Sequence, residues 1–123
     1  MKDDAYCKIY VDLESTVQVK NGLQDLLGIN FSVTSAEALV GDIPVGIYVM
    51  RHKPLHRRQA DDFLTWRVTI DIEPDDRSAA TDELVITVLE HFWLHSVSAV
   101  AACDYEDDLP FQGTRILQRD EPQ

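Results

Sequence analysis

The chain of 123 residues carries 11 Lys+Arg against 22 Asp+Glu, a formal net charge of −11, with 45% apolar and 27% charged residues. That is long enough to bury one hydrophobic core without staples, and too apolar for a disordered chain. The acidic excess argues against nucleic acid as a partner, since that binding rests on Lys and Arg at phosphates, and against anionic membranes; it favours a basic protein partner. The plainer account of the charge is solubility. A single domain over 1–123 is expected, with 110–123 as a polar C-terminal tail. Two cysteines, Cys7 and Cys103, are too few for a disulfide framework. Each sits in an apolar run, as a buried, inert thiol would. The start MKDDAYCK has no apolar h-region and no run approaches transmembrane length, so a cytoplasmic location is expected.

Tyr6–Leu13 alternates, with Cys7, Ile9, Val11 and Leu13 on one side, and reads as a half-buried strand. Ser15 and Gln18 make a capping-box pattern for a helix whose apolar stripe is Val19, Leu23, Leu26 and Leu27, closed by Gly28. Gly22 inside it costs about 1 kcal/mol against alanine. Phe31–Val40 carries mixed signals, with room for a short strand. Val45–Arg51 is a clearer strand, entered through the turn Gly-Asp-Ile-Pro. His52–Asp62 reads as a polar connection containing Pro54. Leu64–Glu73 alternates throughout and predicts a strand with one covered and one more polar face. After the break at Pro74-Asp75-Asp76, a helix from Ser78 or Thr81 to His95 presents Val85, Val88, Leu89 and Phe92 on one stripe, with Asp82 and Glu83 near its start. Val97–Cys103 closes the pattern as a last strand. Beyond Pro110 only Ile116 and Leu117 interrupt a polar run.

The order β-α-β-β-α-β predicts an α+β two-layer sandwich of ferredoxin-like type. Its antiparallel-rich sheet would have four to five strands, with two helices on one face. The first and last strands would then be neighbours, placing Cys7 and Cys103 side by side in the core. Such a sandwich hosts enzymes and binders alike.

His91 and His95 share one helix face at i, i+4, the spacing of two metal ligands, but lack the intervening base of a zincin and a third ligand. Exposed histidines favoured by the helix dipole are the plainer account, and no metal or other cofactor is expected. His52 and His56 repeat the spacing around Pro54. Arg51, Lys53, Arg57 and Arg58 could grip a phosphate or an acidic patch, or be neutralised locally by Asp61 and Asp62. Asp71, Glu73, Asp75 and Asp76 lack the glycine of a calcium loop and read as a solvated strand edge leading into a helix. No Gly-x-Ser-x-Gly elbow, phosphate loop or Gly-x-Gly-x-x-Gly is present. The many acids leave acid–base chemistry open.

The stretch AACDYEDDLP sets Asp104, Tyr105, Glu106, Asp107 and Asp108 at the end of a strand. Clustered carboxylates repel one another until a cationic surface arrives, and tyrosine gives large contact area at low rotamer cost. The alternative is a charged guard against edge-to-edge aggregation. Asp71 and Glu73 form the competing acidic surface.

The strand FLTWRVTIDIEP, the helix ELVITVLEHFWLH and the closing AVAACDYEDDLP, together spanning Phe63–Pro110, resemble the small acidic immunity proteins of bacterial toxin systems, including those of contact-dependent growth inhibition. The resemblance implies a cytosolic, non-enzymatic protein that binds one cognate toxin, often a nuclease, and blocks its active site or substrate surface. A small α+β enzyme or ligand-binding module, with acids and histidines lining a cleft, is the reading from another class.

Overall fold

The computed structural model describes residues 6–40, 43–75 and 78–116. Strand β1 (Cys7–Val11) is followed by helix α1 (Thr16–Leu27), then β2 (Ser35–Val40), β3 (Ile43–Arg51) and β4 (Val68–Glu73). Helix α2 (Ala79–Leu94) leads to β5 (Ala99–Ala102) and β6 (Thr114–Arg115). All six strands form one antiparallel sheet in the order β2-β3-β4-β1-β5-β6. The chain is α+β as expected, but the sheet exceeds the expected four to five strands. The expected β-α-β-β-α-β order is replaced by β-α-β-β-β-α-β-β. The mixed Phe31–Val40 stretch supplies an edge strand, and the polar tail supplies a two-residue strand on the other edge. β1 and the Val97–Cys103 strand are neighbours, with Ile9 opposite Ala101.

Period-two alternation fixes which face is buried, because a one-residue slip would turn every side chain over. Cys7, Ile9 and Val11 lie opposite Ile72, Ile70 and Val68, and Ile47 and Val49 continue these rows on β3. All are buried in one cluster with Val19 and Leu23 of α1 and Val85, Val88, Leu89 and Phe92 of α2. Each such aliphatic side chain contributes about 1.5–3 kcal/mol by leaving water. The α2 stripe is fully buried, whereas Leu26 of the expected α1 stripe is exposed. Both helices have side-chain N-caps. Ser15 Oγ accepts from Gln18 N–H, and Ser78 and Thr81 cap each other reciprocally.

The strand expected from Leu64 begins only at Val68. The Asp62 carboxylate accepts from Leu64 N–H at 3.1 Å, and Thr65 Oγ1 donates to Asp62 O at 2.6 Å. These local bonds curl Phe63–Thr65 into a 3₁₀ turn and expose Leu64. Trp66 is fully buried outside the helix-side cluster, its Nε1 donating to Gln59 O at 3.0 Å.

β4 lies between β1 and β3, so Asp71 and Glu73 are not on a sheet edge. Asp71 is 7% exposed. Cys7 is buried as expected, but Cys103, just past β5, is only half-buried. Asp76, Leu117, MKDD and the Gly41-Asp42 half of the expected turn lie outside the described residues. Among the described residues, no helix is long and apolar enough to cross a membrane.

Candidate functional site

Sheet register brings the two acidic stretches of the sequence to the same end of the molecule. β1 begins at Cys7, opposite Ile72 near the end of β4, while Lys8 lies opposite Ala102 at the end of β5. The chain therefore leaves the sheet on both sides of β1, at Glu73–Asp75 and at Asp104–Asp108, two strand spacings or about 10 Å apart. Glu37 joins them through the row Glu37–Gly46–Glu73. Glu37, Glu73, Asp75, Asp104, Glu106, Asp107 and Asp108 are all exposed.

The expected aromatic anchor of this stretch turns the other way. Tyr105 is 3% exposed and belongs to the core, as does Leu109 four residues later. Strand alternation stops at Cys103, where Glu106 N–H donates to Cys103 O at 3.3 Å and starts a turn. Tyr105 and Leu109 pin this turn inward, and the 3₁₀ turn Glu106–Asp108 between them holds its carboxylates in water.

The exposed aromatic is Phe111, 63% accessible. By chain reach it lies within about 11 Å of Asp108. Phe111 and Gln112 both occupy the left-handed region, at φ 56°, a conformation costly for side chains other than glycine. Phe111 packs edge-on against Trp93, with centroids 5.6 Å apart, and under the Arg115 guanidinium at 4.8 Å. Sequence reading passed over it; the available signal was a lone aromatic between Pro110 and Gly113 in a polar tail.

The sheet face opposite the helices adjoins the acidic end. Its far half is covered by the 52–66 connection, where Phe63 and His52 pack edge-on against Tyr10 at 5.0 and 5.8 Å. On the near half, Asp71 lies between Lys8 and Tyr48 in register. Tyr6 donates its hydroxyl to Asp71 Oδ1 at 2.8 Å, and Lys8 Nζ lies 4.0 Å from the same oxygen. Burial, and then this carboxylate, hold the Tyr6 phenol well above the usual tyrosine range.

The basic cluster occupies the opposite end. Arg58 makes a two-pronged pair with the Asp12 carboxylate, and Arg51 Nη1 donates to Glu14 O at 3.1 Å. Topology brings these groups together: β3 ends and β4 begins where β1 leaves the sheet.

His91 and His95 line a groove of about 460 Å³ between α1 and α2, with Gln18, Gly22 and Asp25. Their rings are 4.6 Å apart, and His95 Nδ1 donates to His91 O at 2.7 Å. His91 is half-buried rather than exposed, and burial, then His95, lower its pKa. A Cβ on Gly22 would come within 3.1 Å of His91 Nε2, so this glycine allows the close approach. Among the described residues, no three His, Cys, Asp or Glu side chains are grouped to hold a metal ion.

Compared with known protein families, characterised proteins and solved structures, the chain matches none of them.

Proposed function

We propose that the chain is a cytoplasmic, non-enzymatic immunity-type inhibitor that neutralises a cognate bacterial toxin, a basic nuclease, by covering its substrate surface. The observation that carries this reading is the convergence of Glu73–Asp75 and Asp104–Asp108 on one end of the sheet. A nuclease grips phosphates with Lys and Arg, and a rigid array of carboxylates presents it with a competing polyanion. Phe111 supplies the apolar contact next to the charges, and the near half of the open sheet face adds Tyr6 and Tyr48. The resemblance of Phe63–Pro110 to immunity proteins supports the same assignment.

The test is affinity capture from the source cells with wild-type chain and with Asp107→Lys/Asp108→Lys as bait. The expected result is one basic protein, captured by wild type, lost with the variant, and toxic unless wild-type chain is co-expressed. Equal capture by both baits, or a partner whose expression is harmless alone, overturns the proposal.

A small enzyme or ligand-binding module is the second reading, favoured by the groove with Asp25, His91 and His95. A His91→Ala/His95→Ala variant separates the two: an inhibitor keeps its protection, whereas a groove-dependent activity is lost.

A further inference from the structure

Cys7 and Cys103 sit across the β1–β5 ladder. Lys8 opposes Ala102 and Val11 opposes Ala99, so one further step sets Cys7 against Cys103. Asp12 N–H donates to Ser98 O at 3.0 Å, which marks Asp12/Ser98 as a hydrogen-bonded pair. Antiparallel pairs alternate, so five steps on, Cys7/Cys103 falls in the closer, non-hydrogen-bonded class, with Cα atoms about 4.5 Å apart. That lies within the range of about 4.4–6.8 Å that a disulfide spans. The same register puts the two side chains on one face of the sheet, directly across from each other.

Their surroundings differ in a useful way. Cys7 is fully buried, whereas Cys103 is half-exposed at the root of the acidic turn. Cys7 and the Tyr105 backbone lower the Cys103 pKa against burial, Glu106 and Asp104, whereas Cys103 and burial raise that of Cys7. Cys103 is thus the accessible nucleophile, and Cys7 the second thiol already at its side.

We propose that Cys7 and Cys103 form a peroxide-responsive dithiol that closes to an intramolecular disulfide at the root of the acidic turn. The Cys103 thiolate attacks one oxygen of hydrogen peroxide. The S–O bond forms as the O–O bond breaks, and the departing hydroxide takes a proton to become water. Cys7 sulfur then attacks Cys103 sulfur: the S–S bond forms, the S–O bond breaks, and a second water carries away the Cys7 proton. Two thiols and one peroxide give one disulfide and two waters, the sulfurs losing the two electrons that the peroxide gains. The acidic flank selects a small neutral oxidant, since Asp104 and Glu106 repel anionic disulfides such as oxidised glutathione.

The test uses the full chain under native conditions, treated with hydrogen peroxide at low molar excess, with dimedone present to trap sulfenic acid. Wild type is expected to lose two hydrogens in intact mass, to take up no dimedone, and to yield one reducible peptide joining Cys7 to Cys103. Cys7→Ala is expected to accumulate dimedone on Cys103, and Cys103→Ala to resist the same dose. Because Cys7→Ala opens a small void in the core, the wild-type peptide map decides alone if that variant does not fold. Wild type that remains a free dithiol at a dose oxidising free cysteine, or that carries dimedone or sulfinate on Cys103 without a Cys7–Cys103 peptide, overturns the proposal.

Discussion

Asp71 is the residue whose neighbours matter most to the open sheet face, because a nearly buried carboxylate is costly without donors. The Tyr6 hydroxyl provides a short one at 2.8 Å, and Lys8 remains at 4.0 Å. Tyr6→Phe is therefore expected to destabilise the fold by about 1.5–3 kcal/mol, the range for a hydrogen bond to a charged group. Urea unfolding with an unchanged m-value checks this, and an unaltered midpoint refutes it. His91 gives a pH-dependent counterpart. Its folded pKa lies below the ordinary histidine value, so the unfolded chain binds the proton more readily. The stability from keeping His91 neutral is present above about pH 6.5 and is lost as pH falls through the lower folded value. The melting temperature of wild type should thus fall more steeply than that of His91→Gln between pH 7.5 and 5.5; parallel curves would contradict it.

At the scale of elements, Tyr105 and Leu109 hold the acidic turn on the core, while Gly113 seats the following turn close to β5. Tyr105→Ala should cost about 3–5 kcal/mol, as for other large aromatics removed from a core. Asp107→Lys should stay within about 0.5 kcal/mol of wild type. Gly113→Ala should also destabilise, since φ is 73° and a Cβ would lie 3.1 Å from Ala101 Cβ and 3.3 Å from Leu109 Cδ1. Thermal unfolding of the three variants ranks them; Tyr105→Ala melting with wild type would return Tyr105 to the surface. The same elements show what was legible in the sequence. β1 and α2 are readable because one period runs through each, and tertiary packing agrees with it. Phe63–Thr65 is misread because its alternation is real while Asp62 and Thr65 offer the backbone nearer partners. β6 has only two residues, too few to show any period. The acids of AACDYEDDLP are plain in the sequence. That Tyr105 turns inward depends on a change of period at Cys103, which composition does not record. The meeting of this stretch with Glu73–Asp75 depends on long-range register, which no local pattern encodes.

For the whole molecule, the consequence of that register is a charge dipole. Five of the 11 Lys and Arg fall between Arg51 and Arg67, at the end where β1 leaves the sheet. At the other end the segments 71–75 and 102–108 contain acids and no Lys or Arg, and Lys8 of β1 lies beside Asp71. A five-residue strand separates the ends by about 17 Å, roughly two Debye lengths at physiological ionic strength, so each end meets a partner nearly independently of the other. Net charge alone would attract a basic protein to any side of this chain; the dipole turns the acidic end towards it first. Reversing Asp107 and Asp108 to lysine, or Glu73 and Asp75 to lysine, should therefore slow association with the captured toxin by about 10-fold or more at low salt, and flatten its salt dependence. Phe111→Ala should leave the on-rate alone and speed dissociation, as an aromatic contact at the rim of the charges would. The charge-matched control is Lys53→Glu/Arg57→Glu at the far end, expected to leave the on-rate within about twofold. Stopped-flow association across a salt series reads all four variants. If the far-end pair is the one that slows binding, while both acidic-end reversals bind at the wild-type rate, the partner docks against the 52–66 connection. The acidic end would then guard the strand ends of the sheet against other sheets, and the negative charge would serve solubility alone.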